Sequence, residues 1–264
     1  MHTYDIIDIH DHIYKEKIAA KAVDAIGQFY DIPMLGLGTP ADLHEKLQKA
    51  GITKAVVHSA ATTPKQVSSI NDFIYEQAQS YPEFIGFGTM HPDFENMQEE
   101  IERMCSMGFK GIKLHPDFQC FDIDSPQAMK MYEAFADRFI VLFHVGDKKL
   151  AYSSPDKLER VLEHFPDMPV IAAHLGGYSV WNETRLLGKN VYIDTSSTLF
   201  AVPPEEAAEM IHRHGVEKVL YGTDYPMWLP EEELERFMAI PLTEEERRLI
   251  LHDNACRLLG SINR

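Results

Sequence analysis

The sequence predicts a single α/β domain over residues 1–264, folded as a closed (β/α)8 TIM barrel. The prediction rests on eight short apolar runs, on a helical or loop-like segment after each run, and on the absence of a composition change that would mark a linker. Several runs are apolar on consecutive residues, as in Ile140–Phe143, which is typical of parallel strands covered on both faces. An open doubly wound sheet is the alternative, but it usually has fewer strands, and no Gly-x-Gly-x-x-Gly motif follows the first run.

The strands are predicted from β-branched apolar runs that end at turn residues. In chain order they lie near Asp5–His10, Thr53–His58, Phe84–Thr89, Lys110–Leu114, Phe139–His144, Pro169–His174, Asn190–Asp194 and Lys218–Asp224.

Helical patterns lie between these runs. Ser125-Pro126 and Ser154-Pro155 each open a helix with a serine cap and a proline in the first turn. The other helices are predicted at Ala41–Ala50, Asn71–Ser80, Phe94–Met107, Pro203–His214 and Thr243–Leu259. The first loop is long, from Ile13 to about Pro40, with a helical part at Glu16–Ile26, and a loop of this length is usually functional or a lid.

The chain is acidic, with 25 Lys and Arg against 41 Asp and Glu and a formal net charge of −16. This charge repels a phosphate backbone, so we expect no nucleic-acid partner. No apolar run approaches the roughly 18 residues of a membrane span, so we expect no membrane partner. The three cysteines show no Cys-x-x-Cys spacing, which favours free thiols and a cytoplasmic location.

Histidines are concentrated where the predicted strands end. Six of the 13 lie at or just past a carboxyl end: His10, His12, His58, His115, His144 and His174. In a (β/α)8 barrel all these ends open on one face, where active sites lie. The sequence therefore predicts that side chains far apart in the chain converge at one mouth.

His10-Asp11-His12 is the sharpest local pattern. Because alternate residues of a strand face the same side, Asp8, His10 and His12 are all expected to point into the barrel. The two imidazoles can then reach one metal ion at about 2.0–2.1 Å. Histidine pairs also occur by chance on surfaces, and Asp8 is either a hydrogen-bond partner of a metal-bound histidine or a plain buried polar residue.

Three single residues end other strands: His144 the fifth, His174 the sixth and Asp224 the eighth. Each has a structural interpretation when taken alone, as a hydrogen-bonded core histidine or as an aspartate that caps a helix. Their joint occurrence with the histidine pair at strand ends favours a common metal centre.

With these motifs the sequence resembles the metal-dependent hydrolases of the amidohydrolase superfamily, in particular the amidohydrolase family 2 branch that includes aminocarboxymuconate-semialdehyde decarboxylase-like enzymes. The matching segments span almost the whole chain in family order: Asp8–His12, Gly111–Pro116, His144, Ala173–Gly177, Gly222–Pro226 and Asp253–Leu259. The resemblance implies a barrel with a divalent metal, usually zinc, at its mouth.

The resemblance also implies roles for the motif residues. The metal ligands are expected to be His10, His12, His144 and Asp224. Asp224 is also expected to carry a proton, and His174 either polarises the substrate or binds a second metal. Lys113 bridges two metals if it is carboxylated, holds an anionic substrate group, or neutralises an acid inside the barrel. We expect one Zn²⁺, with Mn²⁺ and a second metal left open.

A metal-bound water with a pKa near 7 would supply hydroxide. We therefore expect a hydrolase that cleaves an amide, lactone or ester bond of a small carboxylated substrate. Asp224 would take the proton from the water, and His174 would stabilise the oxyanion. The alternative is a decarboxylase of an unsaturated carboxylic acid on the same site, and a barrel that binds a metal without turnover is a third interpretation.

Substrate contacts are expected at the strand ends and in the loops that follow them. The candidates are Lys113, His115, His58, Tyr178 and Trp228. Tyr178 and Trp228 either line an apolar wall or pack against neighbouring loops or a second subunit, which leaves a homodimer open. The expected partner is a small molecule.

Overall fold

Eight parallel strands follow one another around a barrel in chain order, which confirms the predicted fold class. The computed structural model describes residues 4–262. The strands are β1 Ile7–His12, β2 Lys54–His58, β3 Phe84–Thr89, β4 Gly111–Leu114, β5 Ile140–Phe143, β6 Val170–Ala172, β7 Tyr192–Asp194 and β8 Val219–Leu220. Most bounds agree with the predicted runs, while β1 begins two residues later and β8 is much shorter.

Helices and turns connect the strands and pack around them. They are α1 Glu16–Tyr30, α2 Pro40–Ala50, α3 Val67–Ser80, α4 Met97–Ser106, α5 Pro116–Gln119, α6 Pro126–Phe135, α7 Pro155–His164, α8 Ala173–Gly176, α9 Pro204–His214, α10 Pro230–Met238, α11 Glu244–Arg248 and α12 Asn254–Gly260. A π-helical turn, Leu249–Asp253, joins α11 to α12. Within residues 4–262, no helix has both the length and the apolar character needed to cross a lipid bilayer.

The sequence patterns did not predict α5, α8 or α10, and Ala173 and His174 of α8 were expected to end a strand. For α10 the signal was present, because Pro230 is followed by three glutamates in the first turn. The patterns also predicted only the first part of α1, which continues to Tyr30.

Two apolar layers explain why the strand sequences are apolar on consecutive residues. In β5, Ile140 and Leu142 belong to one buried cluster, while Val141 and Phe143 belong to another that includes helix side chains. Both faces of the strand are therefore covered, as expected for a parallel barrel.

A register shift in β1 changes which residues face the barrel interior. Asp8 pairs with Ala55 and Asp11 with Val57, so β1 contains one more residue than β2 over this stretch. The predicted strict alternation from Asp8 to His12 is therefore wrong, because the extra residue moves Asp8 out of phase with His12. Ala55 and Val57 lie in the cluster that packs against the helices. Asp8, which pairs with Ala55, faces the same side of the sheet.

Asp8 instead helps to close the barrel. It is fully buried and accepts hydrogen bonds from the His10 N–H (3.1 Å), the Thr223 N–H (3.0 Å) and the Thr223 hydroxyl. The Asp224 N–H donates to the His10 carbonyl at 2.8 Å. Of the two interpretations of Asp8, the structure shows the buried, hydrogen-bonded residue, which joins β1 to the segment after β8.

Residues 13–39, called here the cap segment, include α1 and lie over the mouth of the barrel. The Leu35 and Gly36 N–H groups donate to the Pro226 carbonyl at 3.0 and 2.9 Å. The Gly38 N–H donates to the Tyr225 hydroxyl at 2.9 Å. The cap segment is thus fixed to the loop after β8, close to Asp224.

Gly111 in β4 tests how tightly the barrel interior is packed. A Cβ atom there would lie 2.4 Å from a ring carbon of the fully buried Phe87. Replacing Gly111 by Ala is expected to lower the free energy of unfolding by about 1–3 kcal/mol, measured by denaturant titration.

Gly260→Ala is the control, because nothing lies within 4 Å of the position that its Cβ atom would occupy. In a Phe87→Leu background the effect of Gly111→Ala should shrink. An equal loss in both backgrounds would show that the contact with Phe87 is not the cause.

Candidate active site

A cavity of about 350 Å³ lies at the carboxyl ends of the strands. Its polar lining consists of His10, His12, His115, His144, His174 and Asp224, together with Tyr14 and Thr62. Its apolar and aromatic lining comes mainly from the cap segment and from later loops: Ala22, Ala25, Ile26, Phe29, Tyr30, Met34, Ala60, Phe118, Pro226 and Met227. Among the described residues no lysine or arginine lines this cavity, so no basic side chain of the wall balances the charge of an anionic ligand.

Three of the four predicted metal ligands come together at the floor of the cavity. Asp224 Oδ1 lies 3.5 Å from His10 Nε2 and 3.5 Å from His12 Nε2. Two donors bound tetrahedrally to one ion at about 2.1 Å lie roughly 3.4 Å apart. The spacing of these three side chains is therefore that of metal ligands.

Asp194 orients the His10 ring. Its Oδ2 lies 3.0 Å from His10 Nδ1, and because a carboxylate accepts, Nδ1 carries the hydrogen and Nε2 keeps its lone pair. The Lys113 Nζ lies 2.9 Å from the same Nε2 and donates to it. Sequence reasoning did not assign Asp194 a role, although its position at the end of the seventh predicted strand was the available signal.

His144 adjoins this group through His174. His174 Nδ1 donates to the Ser196 carbonyl at 2.9 Å, and His144 Nε2 donates to the Gly146 carbonyl at 2.8 Å. The remaining nitrogens, His144 Nδ1 and His174 Nε2, lie 3.0 Å apart and both present lone pairs, an arrangement that a neighbouring cation or a shared proton would stabilise. The ligand atoms of His10, His174 and Asp224 also lie within 4.8 Å of one another.

The backbone holds two of these residues in an uncommon conformation. His174 has φ 63° and Asp224 has φ 67°, in the left-handed region. This region is unfavourable for residues with a side chain, and such strain is concentrated at functional sites. Hydrogen bonds from the His174 N–H to Asp194 Oδ1 (3.0 Å) and from the Asp224 N–H to the His10 carbonyl hold both conformations.

Burial sets the protonation states of the site. It lowers the pKa of His10, His12 and His144 well below the usual range and that of His174 to about 4. These imidazoles are therefore neutral near pH 7, which is the form that binds metals.

Burial acts in the opposite direction on the carboxyl group of the site. It raises the pKa of Asp224 to about 6, against the hydrogen bond that the Ser197 hydroxyl donates to Oδ2. The same desolvation lowers the pKa of the Lys113 ammonium to about 8.

His115 stacks on His144 at the cavity wall. Their ring centroids are 4.0 Å apart with an angle of 8° between the planes. His115, Asp117 and His144 form a further group of close ligand atoms. Lone pairs of imidazoles lie in the ring plane, so those of two parallel stacked rings do not converge on one ion. We therefore assign this pair to the wall, where His115 Nε2 contacts the Tyr30 hydroxyl at 3.2 Å.

Of the five predicted substrate-binding residues, His115 lines the cavity and the other four do not. Lys113 and His58 are fully buried beside His10 and His12. Tyr178 packs against Tyr30, His144 and His174, with ring centroids 5.2, 6.1 and 5.6 Å away. The Trp228 Nε1 donates to the Ser197 hydroxyl at 3.0 Å, and Ser197 in turn holds Asp224.

Solved structures with the same fold include three decarboxylases. The structure of 2,6-dihydroxybenzoate decarboxylase from Rhizobium matches with a TM-score of 0.75 and 17% identity, over 97% of this chain and 99% of that one. The structure of 5-carboxyvanillate decarboxylase from Sphingomonas paucimobilis matches with a TM-score of 0.74 and 14% identity, over 97% of this chain and 99% of that one. A dihydroxybenzoic acid decarboxylase from Polaromonas, solved with manganese and the inhibitor 2-nitroresorcinol, matches with a TM-score of 0.73 and 16% identity, over 99% of this chain and 98% of that one. At these identities the likeness establishes the fold.

The family comparison agrees with the site. A search of curated proteins found no match. The model of a family described as amidohydrolase matches residues 7–261, which include every predicted metal ligand. The resemblance found in the sequence is thus confirmed, and the chain belongs to the amidohydrolase family.

Proposed function

We propose that the protein is a metal-dependent decarboxylase of a small carboxylated aromatic or unsaturated acid. The observation that carries the proposal is the cavity, where an apolar, aromatic wall without basic side chains faces a floor of imidazoles and one carboxylate. At about 350 Å³ it lies at the small end of the ~300–1,000 Å³ range of ligand pockets, which suits a single-ring acid. The decarboxylases among the similar folds support this alternative over the hydrolase expected first.

The donor set suits a divalent cation. His10 Nε2 and His12 Nε2 present neutral imidazole lone pairs, Asp224 Oδ1 lies between them at 3.5 Å, and Asp194 fixes the His10 ring. Imidazole and carboxylate ligands bind both Zn²⁺ and Mn²⁺. The sequence favoured zinc, whereas the similar fold from Polaromonas was solved with manganese, so we propose either ion at this site. When bound, the cation would attract the substrate carboxylate and offset its negative charge.

Asp224 is the proposed proton donor. In the reaction the bond between the carboxylate carbon and the ring or alkene carbon breaks, its electron pair stays on that carbon, and carbon dioxide leaves. One proton must then be added to the carbon. Asp224 lines the cavity beside the proposed cation site, so its carboxyl group is placed to deliver this proton to the carbon. Ser197 and Trp228 fix its orientation.

The cap segment keeps water away from the reacting carbon. Phe29 and Tyr30 lie over the floor, and Phe29 packs edge-on against Phe118 with ring centroids 4.9 Å apart. An apolar surrounding weakens the solvation of the charged carboxylate more than that of neutral carbon dioxide, so it favours the bond cleavage. His174 lines the same cavity and is proposed to orient the substrate.

The function is tested by assaying carbon dioxide release and acid release separately. The metal-loaded enzyme is given 2,6-dihydroxybenzoate and 5-carboxyvanillate in one series, and small lactones, amides and esters in the other. We expect carbon dioxide from a carboxylated ring, loss of this activity with a chelator, and recovery with Mn²⁺ or Zn²⁺. Asp224→Asn should lower turnover roughly 10²–10⁴-fold. Acid release without carbon dioxide would instead establish the hydrolase.

Asp194→Asn tests the orientation of His10. The amide keeps one oxygen for the His174 and Ser196 N–H groups but replaces the oxygen that accepts from His10 Nδ1. Metal affinity, measured by competition with a chelator, is expected to fall about 10–100-fold. Glu45→Gln, at a highly exposed side chain, is the control. Unchanged affinity with a native circular dichroism spectrum would remove Asp194 from the metal site.

Trp228→Phe separates positioning from substrate contact. Loss of the indole N–H frees the Ser197 hydroxyl, so kcat should fall while KM stays the same, since the side chain does not line the cavity. Phe200→Leu is the control, because Phe200 stacks on the same indole and is partly exposed. A rise in KM with constant kcat would support the substrate contact predicted from the sequence.

A further inference from the structure

His58 ends β2 in a position that its hydrogen bonds do not explain. The residue is fully buried, and within residues 4–262 neither ring nitrogen has a hydrogen-bond partner. Buried polar groups are nearly always paired, because an unpaired one loses its hydration without compensation. The His58 side chain also does not line the cavity, so substrate contact does not supply the partner.

The neighbours of His58 are the two histidines of the metal site. His58 pairs with His12 in the register of β1 and β2, so the two side chains stand side by side. The ligand atoms of His10, His12 and His58 all lie within 4.8 Å of one another. The ring centroid of His58 lies 4.5 Å from that of His12 and 5.1 Å from that of His10, and the latter two are 5.3 Å apart.

These separations agree with three imidazoles on one ion. A nitrogen bound at about 2.1 Å, with the ring centre roughly 1.1 Å further away, places the ring centres about 4.5–5.3 Å apart for ligand angles between roughly 90° and 110°. All three measured separations fall in this range. The stacked pair of His115 and His144, at 4.0 Å, lies below it.

His10 restricts the arrangement to a single ion. Its Nδ1 is engaged by Asp194, so only Nε2, which here accepts from the Lys113 Nζ, can bind an ion, and one lone pair serves one cation. The same Nε2 lies 3.5 Å from Asp224 Oδ1. An ion that contacts His58 and His10 is therefore the ion that contacts Asp224.

We propose that His58 is a further ligand of the cation held by His10, His12 and Asp224. This inference rests on the proposed metal-dependent function and adds a ligand from β2. It explains why a histidine whose ring nitrogens have no hydrogen-bond partner is buried at this strand end: the cation would supply that partner.

The test compares His58→Leu with the wild-type protein in metal binding. Leucine fills a similar volume and removes both unpaired nitrogens, so the metal-free variant should be at least as stable as the wild type. We expect its Kd for Zn²⁺ and Mn²⁺, measured by chelator competition, to rise at least tenfold. The increase in Tm on metal addition should shrink accordingly.

His91→Leu is the matched control, because His91 is another buried histidine just beyond a strand end. Among the described residues it belongs to none of the side-chain groups that could hold a metal ion. Its Kd should equal that of the wild type. If His58→Leu fails to fold, His58→Gln is loaded with Co²⁺ and its visible absorption is compared with that of the wild type, where loss of an imidazole changes the spectrum.

The outcomes separate the two proposals. Suppose that the wild type binds one ion and that His58→Leu has the same Kd, or that His58→Gln has the same Co²⁺ spectrum. Either result overturns the role of His58 and leaves the proposed function standing. A wild type that binds no ion overturns both.

Discussion

All strands of the barrel run in the same direction, and this constraint underlies everything at the site. Because all strands end on one rim, residues that end β1 and β2 lie near residues that follow β5 and β8, although more than 200 positions separate the first from the last. The contacts that close the barrel between β1 and the segment after β8 matter most for the site. Asp8 joins β1 to this segment through Thr223, and the His10 carbonyl accepts from the Asp224 N–H, so the same contacts close the sheet and place two of the proposed ligands.

The proposed metal centre buries polar side chains, which costs free energy, whereas the rest of the fold is stabilised by burying apolar ones. His10 is fully buried and His12 partly so, and a low pKa keeps both neutral, so desolvation is tolerated only as long as each lone pair finds a partner. Some partners are built in: Asp194 for His10 Nδ1, and carbonyls for His144 and His174. Ligand atoms of His12 and His58 lie within 4.8 Å of His10, and a ligand atom of His174 lies as close to His10 and Asp224. A cation bound there would pair with several of these nitrogens at once and so would couple metal binding to stability.

The sequence predicted the barrel, most strand ends and the histidines at the rim, because apolar periodicity and strand direction are local signals. It did not predict the register shift in β1, since one inserted residue leaves the apolar pattern almost unchanged while it reverses the facing of Asp8. It also gave Asp194 no role. An aspartate after an apolar strand is common, and only the barrel brings it to His10, 184 positions earlier in the chain.

The predicted substrate-binding residues were misplaced for a different reason. Lys113, His58 and Trp228 follow or end predicted strands near the mouth, as substrate-binding residues do, but depth below the cavity surface is a tertiary property. Lys113 contacts His10, His58 lies beside His12, and Trp228 reaches Ser197. Each therefore acts on residues that face the cavity. The sequence located the right region, but it did not show which side chains line the cavity and which lie behind that lining.

The division of the cavity into a polar floor and an apolar wall also bears on the choice between hydrolysis and decarboxylation. Hydrolysis consumes a water molecule, which needs polar partners along its path to the floor. Decarboxylation consumes only a proton and is favoured where a carboxylate is poorly hydrated. The cap segment contributes Ala22, Ile26 and Phe29 to the wall, and these side chains offer no hydrogen bonds to water. Among the described lining residues the wall offers no basic side chain, so the floor would balance the charge of a carboxylate and direct it to the same point as the proposed cation.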